Sequence, residues 1–374
     1  MATDTSTGYV PGANEWKSVS PEDVGMSADG IQEAIRFHTD EIGTSQFRDG
    51  REILGELAGR TDAEMPSDEP YAGVIGPIKR RGPENGAILR HGHLVAEWGN
   101  TWQIDMTYSV AKSYLATMAG LALDRGLIRD VNDRVGDYVV DGSFDSEHNS
   151  QITWRHLLHQ SSEWEGTLWG KPDWCDRPEM PPGYWHEREL QTPGSRYKYN
   201  DVRVNLLALC LTHVWRRPLA QVCKEFIMDP IQASPTWRWN GYFNSWIELD
   251  GLHMQVVSGG SHWGGGFWSH TRDHLRFGLL NLRRGNWGGQ QLISDEWYQQ
   301  ALAPSETFKS YGYMWWLNTD KDQMPSAPES AFAARGMGAN IIYIDPENDL
   351  VAMTRWIDSE QFDGFVKRLL ASIK

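Results

Sequence analysis

Cysteine is scarce in this sequence: its 374 residues include three, Cys175, Cys210 and Cys223. An odd number without C-x-x-C spacing argues against a disulfide framework or a zinc knuckle, so we expect reduced, structural thiols. Runs rich in Lys or Arg are also missing, and 35 basic against 50 acidic residues give a net charge of -15. This balance disfavours nucleic acids and anionic membranes as partners.

Long apolar runs are absent as well. No stretch approaches the roughly 20 apolar residues of a membrane span, which argues against a membrane partner. The first residues, MATDTSTGYVPGANEW, have neither a basic region nor an apolar core of a signal peptide. We therefore expect a cytoplasmic protein, or a periplasmic one if a signal peptide has been removed.

Several motifs that would point to other chemistries are missing. There is no G-x-S-x-G nucleophile elbow, HEREL (186–190) lacks the second histidine of a zincin, and SGGSHWGGG (258–266) lacks a P-loop lysine. His270 and His274 have the spacing of a metal pair but no evident third ligand, and Thr271 resembles a helix cap. We expect no metal and no cofactor.

The elements that are present predict an antiparallel α/β arrangement. A capped amphipathic helix near residue 31 precedes a mostly loop region (45–85) and a hairpin around His91-Gly92; a helix then begins near Ser109 and ends at Gly126. Strands are predicted at 311–318, 340–345 and 350–357, followed by a closing helix. We expect residues 1–130 and 251–374 to form one α/β lobe, with 131–250 as a mainly helical lobe.

The stretch TYSVAKSY (107–114) raises the first chemical question, because Ser109 stands three residues before Lys112 at a helix start. This spacing puts both side chains on one helix face. A serine hydroxyl needs a neighbouring group to take its proton, and a lysine can do so only if burial lowers its pKa; otherwise its charge can activate another base. The helix N-terminus adds N–H groups for a developing oxyanion.

A second S-x-x-K copy, Ser195 to Lys198, shows that the spacing alone is weak evidence. That copy follows Pro193-Gly194, whereas Ser109 opens a helix apolar enough to be buried. A lysine in the first turn of a buried helix is costly unless it has a role. We interpret Ser109 and Lys112 as a catalytic pair; the alternative is a capping serine with a solvated lysine.

Eight stretches, in order, resemble the penicillin-recognising serine hydrolases, in the branch with class C β-lactamases, family VIII carboxylesterases and 6-aminohexanoate-dimer hydrolases. They span nearly the whole chain: SPEDVGMSADG, ILRHGHLVAEWG, YSVAKSYLATMAGLALDRGLI, ITWRHLLHQSSEWEG, PGSRYKYNDVRVNLLAL, GGFWSHTRDHLRFGLLNLRRG, YGYMWWL and ARGMGANIIYIDPENDL. The resemblance implies a β-lactamase/transpeptidase-like fold, α/β (α+β) in class, whose antiparallel sheet is flanked by helices and carries a mainly helical insertion lobe.

The resemblance also implies a Tyr-x-Asn motif, which falls on Tyr199, Asn200 and Asp201 and assigns Tyr199 to proton transfer with Lys112. From the residues alone, a tyrosine with an ordinary pKa near ~10 could be a base only if a cation stabilises its phenolate; otherwise it is a half-buried aromatic. Asp201 replaces the usual asparagine. Its carboxylate cannot donate a hydrogen bond to a substrate carbonyl and would favour a protonated Lys112 if close.

The family's third motif, Lys/His-Thr/Ser-Gly, is replaced by Ala334, Arg335 and Gly336. The lost first-position cation weakens the case for an anionic β-lactam or a D-Ala-D-Ala terminus. Arg335 could compensate only if it faces the site, and neighbours on a strand point to opposite faces. Gly336 permits close backbone approach, and the resemblance implies an oxyanion hole made of the Ser109 and Met337 N–H groups.

His262 and Trp169 complete the predicted pocket, in which Asp201, Arg335 and Gly336 are the other substrate-binding candidates. The sequence thus predicts a cofactor-independent serine hydrolase that cleaves a small-molecule ester or amide through an acyl-enzyme, as a carboxylesterase or a nylon-oligomer-type amidase. One alternative is a β-lactamase or D-amino-acid peptidase. An alternative of another class is a catalytically silent penicillin-fold binding protein.

Overall fold

The computed structural model describes residues 8–13, 15–40 and 70–374. Within these residues lie eight α-helices: α1 (Ala28–Thr39), α2 (Val110–Asp124), α3 (Trp154–Leu158), α4 (Asp201–Trp215), α5 (Leu219–Cys223), α6 (Thr271–Leu282), α7 (Asp295–Ala301) and α8 (Phe362–Ala371). No helix among them is long and apolar enough to cross a membrane.

The strands of the same residues alternate with these helices along the chain. They are β1 (Asn85–Arg90), β2 (His93–Trp98), β3 (Asp105–Met106), β4 (Thr167–Leu168), β5 (Lys171–Pro172), β6 (Arg238–Leu249), β7 (Leu252–Val257), β8 (Gly266–Ser269), β9 (Asn286–Trp287), β10 (Gln290–Gln291), β11 (Trp316–Leu317), β12 (Phe332–Gly336), β13 (Asn340–Asp345) and β14 (Leu350–Arg355).

The main sheet has six strands in the order β11-β12-β13-β14-β1-β2, and every neighbouring pair is antiparallel. Its two outer strands at one side, β1 and β2, form the predicted hairpin, in which His91 (φ 52°) and Gly92 (φ 79°) make the turn. Two positive φ values in a two-residue loop match the twist of a hairpin. The antiparallel sheet flanked by helices that the sequence predicted is therefore present.

Alternation along the strands divides the core into two layers. On β12 and β13, Ala334 and Ile342 belong to the large cluster that includes α2, α4 and α6, whereas Ala333 and Ile341 belong to the cluster that includes α1 and α8. This alternation follows from the two-residue period of a strand. The sheet is thus covered by helices on both faces.

Helix α2 occupies the centre of the larger layer. Every residue from Val110 to Ala122 is buried, so this helix has no solvated face over that length. A helix that is apolar all round is typical of a core position. Any polar side chain near its start must therefore find partners inside the protein.

A second sheet, in the order β3-β8-β6-β7, lies beside the start of α2. Its longest member, β6, falls within residues 131–250 together with α3, α4 and α5, so this region carries a 12-residue strand besides its helices. The division of the chain into an α/β lobe and a mainly helical lobe stays a prediction.

Two details differ from the sequence-based expectations, and a third cannot be compared over most of its length. Only Trp316–Leu317 of the strand predicted at 311–318 pairs with β12, because Tyr313 and Met314 donate their N–H groups to Ala301 and Leu158 instead. The cap of α6 is His270, whose ring accepts from the Asp273 N–H, and Thr271 is the first helical residue. Of the loop predicted at 45–85, residues 45–69 lie outside the described residues.

Candidate active site

Ser109 lies at the N-terminus of α2, where it is partly exposed between the buried residues Tyr108 and Val110. A serine at this position usually caps the helix with its hydroxyl, which accepts from an N–H one turn later. The Ser109 hydroxyl makes no such bond. Its Oγ instead accepts a hydrogen bond from Lys112 Nζ at 2.8 Å.

Lys112 connects helix α2 to the motif at Tyr199–Asp201. Its Nζ also donates to Asp201 Oδ1 at 2.6 Å, and the two charged side chains are each 2% exposed. Burial opposes the charge on Lys112, yet the Asp201 carboxylate and the Tyr199 phenol hold the lysine pKa above its ordinary value. Lys112 is therefore an ammonium at neutral pH and meets Ser109 as a hydrogen-bond donor.

The same ion pair sets the charge of Asp201. Burial favours the neutral carboxylic acid, but the Lys112 ammonium and, to a smaller extent, Arg177 and His262 lower the Asp201 pKa. The two buried charges therefore stabilise each other, as a buried pair must to persist.

The second motif is positioned by the cap of α4. Asn200 is the N-cap, with its side chain accepting from the Arg203 N–H at 3.0 Å and its Nδ2 donating to the Asp173 carbonyl at 2.6 Å. This cap fixes the residues on either side of it. Asp201 becomes the first residue of the helix, and Lys112 Nζ lies 4.6 Å from the centre of the Tyr199 ring.

Sequence reasoning missed two neighbouring residues, Asp176 and Arg177, which belong to a loop between β5 and α4. The fully buried Asp176 accepts a short hydrogen bond from the Asp201 N–H, and its Oδ1 lies 3.5 Å from His262 Nδ1. Burial raises the Asp176 pKa. Arg177 pairs with Asp176, and its guanidinium carbon lies 4.9 Å from the centre of the Tyr199 ring.

Gly260 is a third residue that the sequence reasoning passed over. A Cβ at this position would overlap both Asp201 Oδ2 and Lys112 Nζ, so the backbone before His262 closes directly over the ion pair. The glycine-rich stretch at 258–266 was the available signal. The sequence argued against phosphate binding by this stretch, and in the structure its glycine allows close approach to buried charges.

Strand β12 brings the third motif to the start of α2. A Cβ at Gly336 would overlap the Thr107 carbonyl and lie 3.3 Å from the Ser109 nitrogen. Only glycine therefore allows this strand to approach so closely. Met337, the next residue, has a 54% exposed side chain and begins the turn to β13.

Two other pocket candidates have partners elsewhere. Arg335 donates to Gln323 Oε1 at 3.0 Å, and its guanidinium faces the rings of Trp316 and Phe362. Trp169 packs edge-on against Tyr242, 5.8 Å between centroids. The structure thus brings Ser109, Lys112, Tyr199 and Asp201 together, adds His262 through Asp176, and places Gly336 against Ser109. It does not show Arg335 or Trp169 in contact with that group.

The histidines considered for a metal have other roles. The His274 ring shares a hydrogen bond with the Tyr114 hydroxyl at 3.1 Å, and His270 caps α6. Among the described residues, no group of three or more His, Cys, Asp or Glu could hold a metal ion.

Comparison with known proteins places this geometry in a family. The sequence model of the Beta-lactamase family matches residues 105–355. An Escherichia coli O157:H7 protein named as a D-alanyl-D-alanine carboxypeptidase is 24% identical over 196 residues, which cover 42% of this chain. The match spans 44% of that relative's length, so less than half of the relative is compared.

Solved structures share the fold at low sequence identity. A penicillin-binding protein homologue from Caulobacter crescentus has a TM-score of 0.56 and 15% identity, covering 88% of this chain and 98% of its own. A Bacillus anthracis protein named as a 6-aminohexanoate-dimer hydrolase has a TM-score of 0.53 and 18% identity, covering 77% of this chain and 78% of its own. Both likenesses concern the fold. Because the family model matches residues 105–355, which is more than half of the chain, this chain belongs to the β-lactamase family. The members of this family are serine hydrolases that act on small molecules.

Proposed function

We propose that this protein is a serine hydrolase that cleaves a carboxylic ester or amide through an acyl-enzyme on Ser109. The observation that carries the proposal is the 2.8 Å hydrogen bond from Lys112 Nζ to Ser109 Oγ, made by an ammonium that a buried carboxylate holds in place. A structural serine at a helix start would cap the helix, and this one does not.

In the first half of the reaction, Ser109 Oγ attacks the substrate carbonyl carbon and loses its proton. Because Lys112 is already protonated, we assign the role of proton acceptor to the side-chain oxygen of Tyr199, which acts in its deprotonated form and whose ring centre lies 4.6 Å from the ammonium. Tyr199 then gives the proton to the leaving alcohol or amine as the carbon–heteroatom bond breaks. The products are the acyl-serine and the free leaving group.

The negative charge that develops on the carbonyl oxygen needs donors that are in place beforehand. We assign these to the Ser109 N–H at the start of α2 and to the Met337 N–H. The close approach of Gly336 to the Ser109 nitrogen supports this assignment, because it brings the end of β12 to the nucleophile.

Deacylation repeats the proton transfer with water. Tyr199 accepts a proton from a water molecule that attacks the acyl-serine, and Ser109 Oγ leaves with that proton. The substrate supplies the acyl and leaving groups, and Ser109, Tyr199 and water supply the attacking oxygens and the transferred protons.

The substitutions in the second and third motifs favour neutral esters or amides over β-lactams. Ala334 supplies no cation, and the Asp201 carboxylate is committed to Lys112 and cannot donate to a substrate carbonyl. A β-lactamase or D-amino-acid peptidase is the second candidate, and the name of the Escherichia coli relative favours it. A silent binding protein is less well supported, since the Ser109–Lys112 contact is retained.

The test compares substrate classes on one preparation. We expect hydrolysis of p-nitrophenyl butyrate that Ser109→Ala abolishes, with kcat/KM at least ~100-fold above that for nitrocefin or benzylpenicillin. Comparable rates on both classes would favour the second candidate. Acylation of Ser109 without turnover, detected by mass spectrometry, would favour the binding protein.

A further inference from the structure

Helix α3 is followed by a residue type that the local backbone does not favour. Gln160 has φ 54°, in the left-handed region where glycine is the usual residue after a helix. Its N–H donates to the Leu157 carbonyl. The Ser161 N–H donates to the His156 carbonyl, which completes the hydrogen-bond pattern of a Schellman C-cap. Glycine would satisfy this helix end, so the glutamine has to be explained by what its side chain contacts.

Gln160 is 1% exposed and bonds to the chain on both sides of Tyr199. Its carbonyl accepts a hydrogen bond from the Lys198 N–H at 2.8 Å, and its Oε1 accepts one from the Asn200 N–H at 2.8 Å. Its Nε2 donates to the Tyr311 hydroxyl at 2.8 Å, which orients the amide. One buried residue thus holds the backbone before and after the proposed proton acceptor.

The placement of Tyr199 is important for the proposed reaction. Proton transfer needs the Tyr199 oxygen within hydrogen-bond reach of the Ser109 hydroxyl, roughly 2.6–3.2 Å between heavy atoms. A displacement of about 1 Å in a reacting group can slow a reaction severely. The Asn200 side chain is occupied in the cap of α4, so its N–H is the group that ties this segment to α3. The Gln160 contacts therefore restrict the displacement of Tyr199.

We propose that Gln160 is a positioning residue for Tyr199, acting through the Asn200 N–H that its side chain holds. This inference rests on the proposed function and deepens it, because it identifies what keeps the proposed proton acceptor in place. Gln160 is buried and contacts the backbone around Tyr199, so its amide serves proton transfer and not substrate binding. Loss of the amide should therefore lower kcat more than it changes KM.

Two variants remove the amide in different ways. Gln160→Met keeps the length of the side chain, whereas Gln160→Gly suits the left-handed backbone. With p-nitrophenyl butyrate, we expect kcat to fall roughly tenfold or more in both variants, with KM within about twofold of the wild-type value. A loss that both variants share cannot come from backbone strain or from lost volume alone. Wild-type kcat in both variants would overturn the inference.

A double-variant cycle separates positioning from general damage to the fold. If Gln160 acts through Tyr199, Gln160→Met should lower kcat roughly tenfold in the wild type but less than about twofold in Tyr199→Phe. Equal losses in both backgrounds would overturn the inference, because they would show that Gln160 supports the structure in general. Hydrogen exchange needs no turnover, and the segment 198–201 should exchange faster in Gln160→Met, since the Asn200 N–H loses its acceptor.

Asn149 provides the matched control, because it is a buried amide whose backbone partners lie outside the proposed site. Its Oδ1 accepts from the Glu165 N–H at 3.1 Å, and its Nδ2 donates to the Ser143 carbonyl at 3.1 Å. Asn149→Leu should lower stability but leave kcat within about twofold of wild type. Tyr311→Phe leaves the Gln160–Asn200 bond in place, so kcat should fall no more than about threefold.

The same measurements separate this inference from the proposed function. A wild-type protein that hydrolyses no ester or amide would contradict the proposed function, even if the segment 198–201 exchanges faster in Gln160→Met. Hydrolysis by the wild type together with undiminished kcat in Gln160→Met would contradict the positioning role alone. A kcat loss in Asn149→Leu as large as that in Gln160→Met would also overturn the positioning role, because any lost buried amide would then have the same effect.

Discussion

The chain contains the S-x-x-K spacing twice, and the two copies have opposite surroundings. At Ser109 the spacing lies on α2, and Lys112 Nζ reaches both the serine hydroxyl and Asp201. At Ser195 the same spacing lies in a loop, and Lys198 Nζ donates to the Arg177 carbonyl and lies 3.7 Å from Glu179. The copy that we propose as the catalytic pair is thus the one in which a helix aligns the two side chains and a buried carboxylate, Asp201, bonds to the lysine.

The charge states of the two lysines differ in the same way. The Lys112 pKa is raised, because Asp201 and Tyr199 outweigh burial, whereas burial lowers the Lys198 pKa against the weaker attraction of Glu179. The buried lysine is thus the more firmly protonated of the two. Burial alone would have given the reverse order.

The largest expected difference between the copies concerns the nucleophile. Ser109→Ala should lower kcat on p-nitrophenyl butyrate by roughly 10⁴-fold or more, the scale for deleting a catalytic nucleophile. Ser195→Ala should leave it within about twofold, since surface-loop changes of this kind are usually near neutral. Labelling by a fluorophosphonate, followed by peptide mapping, should find Ser109 alone. Label on Ser195 would instead assign the nucleophile to the second S-x-x-K copy.

The lysines should differ next in their effect on stability. Lys112→Met leaves the buried Asp201 carboxylate without its partner, which typically costs about 3–5 kcal/mol in the free energy of unfolding. Lys198→Met should cost about 1 kcal/mol or less, the range of a partly solvated ion pair. Urea denaturation at pH 7 measures both values. Similar losses of unfolding free energy in the two variants would mean that the buried Lys112–Asp201 pair contributes no more to stability than the contacts of Lys198.

A double variant and a pH series sharpen this result. Lys112→Met with Asp201→Asn removes both charges, so it should be more stable than Lys112→Met alone. The Asp201 pKa is lowered, so its contribution holds above the ordinary carboxyl pKa and is lost as pH falls through the folded value. The Lys112 pKa is raised, so its contribution is lost only as pH rises through the folded lysine value. The destabilisation by Lys112→Met should therefore be greatest near neutral pH.

Local patterns in the sequence predicted several helices and strands of the structure, including the start of α2 at Ser109. The hairpin at His91-Gly92, the strand at Asn340–Asp345 and the start of α2 all follow from turn residues and apolar periodicity within a short window. The strand expected at 311–318 forms only at Trp316–Leu317. Tyr313 and Met314 instead donate their N–H groups to residues at the ends of α7 and α3, outside the window of the pattern. Periodicity reports local burial and cannot show which element supplies a hydrogen-bond partner.

The candidate site shows the same limit. Ser109, Lys112 and the Tyr199–Asp201 motif have recognisable spacing, and their placement could be anticipated from the family resemblance. Asp176 and Arg177 carry no periodic signal, since they lie in a loop rich in Trp and Pro. Asp176 joins the site by accepting a hydrogen bond from the Asp201 N–H, and Arg177 does so by lying against the Tyr199 ring. Both contacts depend on the tertiary structure.

Tyr199 should show an intermediate effect that separates it from Lys112. Tyr199→Phe should lower kcat by roughly 100-fold, the usual scale for losing a general base, with KM largely unchanged. The buried Lys112–Asp201 pair remains in this variant, so stability should change little. Near-normal kcat in Tyr199→Phe would assign proton transfer to Lys112 or to another residue. The control variant for the kcat of Tyr199→Phe is Tyr311→Phe, which alters a neighbouring buried tyrosine.

The smallest expected effect comes from Asp201→Asn, and it tests why the two lysines differ. Asparagine keeps an oxygen that can accept from Lys112 Nζ but removes the negative charge, so kcat at pH 7 should fall less than roughly tenfold. Burial then acts on Lys112 without its main opposing charge, and the lysine pKa should fall. Because the proposed mechanism needs the ammonium, the alkaline limb of the kcat profile should move to lower pH. Glu179→Gln, which removes the carboxylate near Lys198, should leave that limb in place. An alkaline limb that stays fixed in Asp201→Asn would mean that another group, and not Lys112, sets the upper pH limit of activity.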